Sequence, residues 1–185
     1  MLGMIGKLAG GAALAVALAA ATPGLAMTAH DFDFTSIEGK PLPMSQFAGK
    51  VVLLVNTASF CGFTPQYEGL EALWRRYRDR GLVVLGVPSN DFGNQEPKDE
   101  GEIKEFCEAN YRVDFPMTAK QTVVGAHAHP LYRWIADSLG EAAEPRWNFH
   151  KYLIDKSGAV TEVWPSQVKP ESGTVTDAIE NALEK

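Results

Sequence analysis

The chain has 185 residues, of which 45% are hydrophobic and 22% charged, enough for one globular domain with a sizeable core and unlike a disordered chain. Its net charge of −6, with lysines and arginines scattered along the sequence, excludes the basic stripe that a nucleic-acid surface requires.

The first 26 residues form a separate segment. Lys7 is its only charge, an Ala/Gly/Leu/Val run covers 8–21, and Thr22-Pro23-Gly24-Leu25-Ala26 closes it. A basic start, an apolar middle and a small-residue end predict a secretory signal peptide over 1–26, cleaved near Ala26. The apolar run is shorter than the roughly 20 residues that span a bilayer, which disfavours the alternative, an uncleaved anchor. The expected mature domain is 27–185, exported to the periplasm or secreted.

Downstream, 31–35 and 41–44 alternate polar and apolar residues around the turn Glu38-Gly39-Lys40, which predicts a β-hairpin. The run 51–56 is continuously apolar and β-branched up to Asn56, as in a central strand buried on both faces. From 64 to 80, Tyr67, Leu70, Leu73, Trp74 and Tyr77 fall at helical spacing and Gly81 ends the helix. A second buried strand follows over 82–87. Helices are expected over 100–110, with Ile103, Phe106 and Cys107 on one side, and over 129–139. Two strands, 149–154 and 160–164, flank the turn Asp155-Lys156-Ser157-Gly158, and a last helix covers 174–183. Strand–helix–strand units early and a hairpin late predict an α/β thioredoxin-like fold, in which a central mixed sheet is flanked by helices and preceded by an N-terminal β-hairpin.

Two cysteines remain after the leader, Cys61 and Cys107. In an oxidising compartment they are candidates for a single structural disulfide. Cys61, however, lies between the first buried strand and the first long helix. There Thr64 is placed to cap the helix and Pro65 suits its first turn. A thiol at that position faces backbone N–H groups and the positive end of the helix dipole, both of which favour thiolate. Thr64 stands where a Cys-x-x-Cys motif would have its second cysteine, so a one-cysteine nucleophile is favoured over local dithiol exchange. A buried structural thiol is the competing reading.

Three motifs carry a resemblance. Asn56-Thr57-Ala58-Ser59-Phe60-Cys61-Gly62-Phe63-Thr64 resembles the active-site motif of glutathione peroxidases, with cysteine where some members have selenocysteine. The stretch from Gly86 to Pro97, which contains Asn90-Asp91-Phe92-Gly93-Asn94-Gln95-Glu96, resembles the second motif of that family. Trp147-Asn148-Phe149-His150-Lys151-Tyr152 resembles the third. The resemblance implies a thiol peroxidase with a tetrad of Cys61, Gln95, Trp147 and Asn148. Neutral donors of this kind stabilise charge moving from sulfur onto the departing peroxide oxygen without pinning the thiolate against a permanent cation. Oxidised Cys61 would be a sulfenic acid. Ser89, Asp91 and Thr57 depart from the residues common in the family.

The segment around Cys107, from Glu105 to Pro116, resembles the family segment that bears a resolving cysteine in thioredoxin-dependent members. The resemblance therefore implies a Cys61–Cys107 disulfide, formed after local unwinding of the helix and re-reduced by a thioredoxin-like protein or glutathione. Only seven residues separate Leu139 from Trp147. Tetrameric, glutathione-using members carry a long insertion there, so a monomer is expected. No cofactor or metal is expected, His127-Ala128-His129 notwithstanding. Asp91, Glu96, Asp99 and Glu100 read as solvated loop and helix-start charges. Two other functions remain in play: a thiol–disulfide exchange protein, against which Thr64 counts, and a peroxide sensor without sustained turnover.

Overall fold

The computed structural model describes residues 27–185, and the expected leader lies outside the described residues. In chain order the hairpin strands are β1 (Asp33–Thr35) and β2 (Pro41–Pro43), followed by β3 (Val51–Thr57), α1 (Gln66–Tyr77) and β4 (Leu82–Pro88). Then come α2 (Glu100–Tyr111), α3 (Pro130–Leu139), β5 (Lys151–Ile154), β6 (Val160–Trp164) and α4 (Gly173–Glu184). The four-stranded sheet has the order β4-β3-β5-β6. β3 and β4 run parallel, whereas β5 is antiparallel to β3 and β6 to β5. This is the expected thioredoxin-like arrangement.

The continuous apolar runs reflect a sheet covered on both faces. Every residue of β3 and β4 is buried. Because side chains alternate along a strand, Val51, Leu53 and Val55 pack with Tyr67 and Leu70 of α1, Ile103 and Cys107 of α2, and Val175 and Ile179 of α4. Val52 and Leu54 point the other way, onto Leu131 and Ile135 of α3 and onto Phe34 and Met44 from the hairpin region. Gly86 is required by a close approach: a Cβ there would sit 3.2 Å from Phe115 and 3.3 Å from Met117.

One consequence of the parallel pair governs the site. Its register carries through to Thr57 opposite Pro88, and the Ser89 N–H donates to the Thr57 carbonyl at 2.9 Å. The loops that follow β3 and β4 therefore leave the same sheet edge together, at the carboxyl ends of parallel strands, where open α/β sheets place their ligands.

Several boundaries differ from expectation by one or two residues, and two of the differences bear on the site. The first helix begins at Gln66 instead of 64, and β5 begins at Lys151 instead of 149. Both shifts arise at the site itself.

Candidate active site

The turn after β3 is closed by Thr64, though not as a helix cap. Its hydroxyl accepts from the Cys61 N–H at 3.0 Å and lies 2.6 Å from the Cys61 carbonyl, to which it donates. The residue before α1 is Pro65, which has no side-chain cap bond. The expected Thr64 cap is thus corrected: the hydroxyl fixes the 61–64 turn, because that turn needs its polar groups satisfied inside a buried bend. Within it the Phe63 N–H lies 3.4 Å from the Cys61 Sγ and donates to it. Cys61 itself is 6% exposed, while neighbouring Phe60 is 55% exposed.

The loop after β4 is fastened to this turn. The Phe60 N–H donates to the Gln95 carbonyl at 3.0 Å. Within the loop, the Asn90 carboxamide accepts from the Glu96 N–H at 2.8 Å and contacts the Asn94 side chain at 3.3 Å. Gly93 and Asn94 take consecutive left-handed conformations, with φ of 64° and 52°. This reversal brings the loop against the indole of Trp147, 3.6 Å from where a Gly93 Cβ would lie.

The third part of the site comes from the segment before β5. Asn56, at the end of β3, donates through Nδ2 to the Trp147 carbonyl at 3.1 Å and accepts from the His150 N–H at 3.1 Å. Between them Phe149 holds φ at +63°, and its N–H donates to the Asn56 carbonyl at 2.6 Å. A left-handed phenylalanine costs on the order of 1–3 kcal/mol, and strain of this kind collects at functional sites. Here it delays the start of β5 and turns Asn148 towards the Gln95 loop. The Asn148 amide donates to Gln95 Oε1 at 3.0 Å. With its oxygen engaged, Gln95 presents its N–H2 as a donor. Asn148 is fully buried; Trp147 is 38% exposed and lies beside Phe92, ring centroids 5.9 Å apart. Gln95, Trp147 and Asn148 are therefore brought together, Gln95 on a loop bonded to the residue before Cys61 and Trp147 and Asn148 on the segment before β5.

Cys107 lies apart from them on α2, 1% exposed, and both cysteines are free thiols. Burial pushes the Cys107 thiol up to about 11, and the nearby Tyr67 phenol offsets part of that rise. In this arrangement Cys107 is a protonated, unreactive thiol.

The acidic residues need correcting. Glu96 is not a solvated charge: it is fully buried, and its Oε2 accepts from the Ser59 N–H at 2.8 Å and from the Ser59 hydroxyl at 3.0 Å. Burial raises its carboxyl, and the Ser59 bonds partly offset this. Asp91 accepts from the Val123 and Val124 N–H groups at 2.6 and 3.3 Å, so its charge pins the 123–124 segment. Asp99 is the helix-start charge expected of it: it caps α2 in a reciprocal box with Glu102. His129 Nε2 contacts the Asp33 carbonyl at 2.9 Å and its ring stacks on Phe34. Among the described residues no group of three His, Cys, Asp or Glu is placed to hold a metal.

Comparison with known proteins gives the family. The family model described as glutathione peroxidase matches residues 29–136. The chain is 47% identical over 152 residues to the "hydroperoxy fatty acid reductase gpx1" of Synechocystis sp., covering 78% of this chain and 90% of that one. It is 50% identical over 136 residues to the "glutathione peroxidase-like peroxiredoxin gpx1" of Schizosaccharomyces pombe, covering 72% and 86%. Among solved structures it is similar to apo Trgpx, with 36% identity, a TM-score of 0.70, and coverage of 86% of this chain and 97% of that one.

Proposed function

Because the chain belongs to the glutathione peroxidase family and is a thiol peroxidase, we propose that it reduces hydroperoxides by a two-cysteine route in which Cys61 is the nucleophile. The Cys61 sulfur attacks one peroxide oxygen as the O–O bond breaks. The other oxygen leaves with the bonding pair and takes a proton to become water or an alcohol, and sulfur is left as sulfenic acid. The Gln95 N–H2, the Trp147 indole N–H and Asn148 orient the peroxide and stabilise the departing oxygen. The observation that carries this reading is the 3.0 Å Asn148–Gln95 bond on a loop hydrogen-bonded to Phe60: it ties Asn148 to Gln95, and the Gln95 loop to the residue before Cys61, and leaves the Gln95 N–H2 as a neutral donor.

Cys107 then displaces the sulfenic hydroxyl as water and forms a Cys61–Cys107 disulfide. Its buried, protonated state requires α2 to loosen first. A dithiol protein of the thioredoxin type, or glutathione, returns both sulfurs to thiols by exchange. The names of the two relatives favour organic hydroperoxides, fatty-acid hydroperoxides included, and a peroxiredoxin-like donor. The protein acts as a monomer without a cofactor, and residues 1–26 direct its export.

Peroxide consumption with thioredoxin and its reductase, or with glutathione, tests this in wild type, Cys61→Ser and Cys107→Ser. The reading requires Cys61→Ser to be inactive with either donor and Cys107→Ser to lose the thioredoxin-driven rate. Wild type that turns over with neither donor would instead be a sensor.

A further inference from the structure

Glu96 is a buried acid that the peroxide chemistry above does not use. It is 0% exposed and follows Gln95 directly in the chain. Its Oε2 receives two hydrogen bonds from one residue, the Ser59 N–H at 2.8 Å and the Ser59 hydroxyl at 3.0 Å, while Oε1 is buried without a hydrogen-bond partner. Ser59 is two residues before Cys61. Together with the Phe60 N–H bond to the Gln95 carbonyl, these bonds make three links between the turn that carries the nucleophile and the loop that carries Gln95.

A carboxylate is costly to bury, and none of the described ion pairs includes Glu96. The Lys120 ammonium holds backbone instead, at 3.3 Å from the Glu96 carbonyl and 2.6 Å from the Lys98 carbonyl. An acid kept in so unfavourable a place, between two loops that must stay in register, points to the geometry it imposes. Resting on the peroxidase reading, we propose that Glu96 is a positioning residue for the Cys61 reaction: its Oε2 acts as a double acceptor that locks the Ser59–Cys61 turn against Gln95. Displacements of about 1 Å at a reacting centre cost on the order of 10²-fold in rate, and a turn linked to the Gln95 loop only by the Phe60–Gln95 bond has that freedom relative to Gln95.

The requirement is for an acceptor at Oε2, so an amide satisfies it. The test is the second-order rate at which hydroperoxide oxidises Cys61 in a single turnover, followed by trapping of the sulfenic acid in the full mature chain. Glu96→Gln, which keeps the acceptor, should react within about threefold of wild type. Glu96→Ala should fall by about 10–100-fold, with peroxide saturation unchanged. Ser59→Ala removes only the hydroxyl link; it should lie between the two, and it keeps the test decisive if Glu96→Ala does not fold. Glu96→Ala or Ser59→Ala at the wild-type rate overturns the proposal, as does Glu96→Gln falling as far as Glu96→Ala, because the charge and not the acceptor would then be what matters. A failure of the peroxidase reading itself looks different: wild type and every variant would leave Cys61 unoxidised.

Discussion

The Asn148–Gln95 bond shows how much of the site depends on single side chains. Asn148 is fully buried and its Oδ1 has no hydrogen-bond partner, so its place in the site is maintained by the Nδ2 bond to Gln95 and by the strained Phe149 beside it. Asn148→Ala frees the Gln95 amide to rotate and should lower kcat/KM for hydroperoxide by about 10²-fold, as for loss of a charge-stabilising donor. Steady-state kinetics at saturating reductant measure it, and a loss of less than threefold would remove Asn148 from the site. At this scale the resemblance implies the tetrad, while the surroundings of those residues were misread from sequence. Thr64 was legible as a polar residue before a helix, but its hydroxyl bonds back to Cys61. Glu96 lay in view inside the second motif, yet nothing in a run of loop residues reveals that a carboxylate is buried against a serine 37 positions earlier. Burial of a polar loop residue is a tertiary fact, and periodicity carries no trace of it.

Among the elements, α2 has two duties that pull against each other. It buries Cys107 against Tyr67 and Ile103, and the disulfide route needs it to release that cysteine. Its N-terminus is held by the Asp99–Glu102 capping box, and Lys98 lies over the Phe60 and Phe106 rings at 5.2 and 5.0 Å. Asp99→Ala should cost about 1 kcal/mol, which corresponds to a Tm lower by roughly 2–4 °C for a domain of this size. If loosening of α2 limits the second step, the same variant should form the Cys61–Cys107 disulfide faster after oxidation while leaving sulfenic-acid formation unchanged. Rapid-quench alkylation separates the two steps, and equal disulfide rates would show that α2 loosening is not limiting. Helices and strands were legible here because their apolar spacing is set by the sheet they cover. The start of β5 was not, since a phenylalanine in a left-handed conformation reads in sequence as one more strand residue.

For the whole molecule, the same central sheet that supports the site also buries two basic groups at the head of β5. Burial pushes His150 down to about 4, the neighbouring Lys151 charge adding to the effect, and burial alone lowers Lys151 to about 7. Lys151 Nζ donates to the Phe149 carbonyl at 2.6 Å, whereas His150 Nε2 has no partner. Between about 4 and 6.5 the unfolded chain binds a proton at His150 that the folded chain does not. Stability therefore rises with pH through that window and is lost as the pH falls, by up to about 3 kcal/mol at 1.36 kcal/mol per pKa unit. Denaturant titrations from pH 7 to pH 4 should show this slope in wild type and a flatter one in His150→Gln. Parallel slopes would mean that His150 is charged in the folded protein. The overall architecture was the most legible part of the sequence, because two uninterrupted buried strands separated by one helix admit few arrangements.

The central claim is that Cys61 takes the oxidation and passes it to Cys107. Mass spectrometry of the mature chain after one equivalent of hydroperoxide, with no reductant present, tests it most directly. The account predicts one peroxide consumed per chain and loss of two hydrogens, with a peptide that joins Cys61 to Cys107; Cys107→Ser should stop at a sulfenic acid on Cys61. Peroxide left unconsumed, or oxidation that settles on Cys107 with Cys61 untouched, would contradict it.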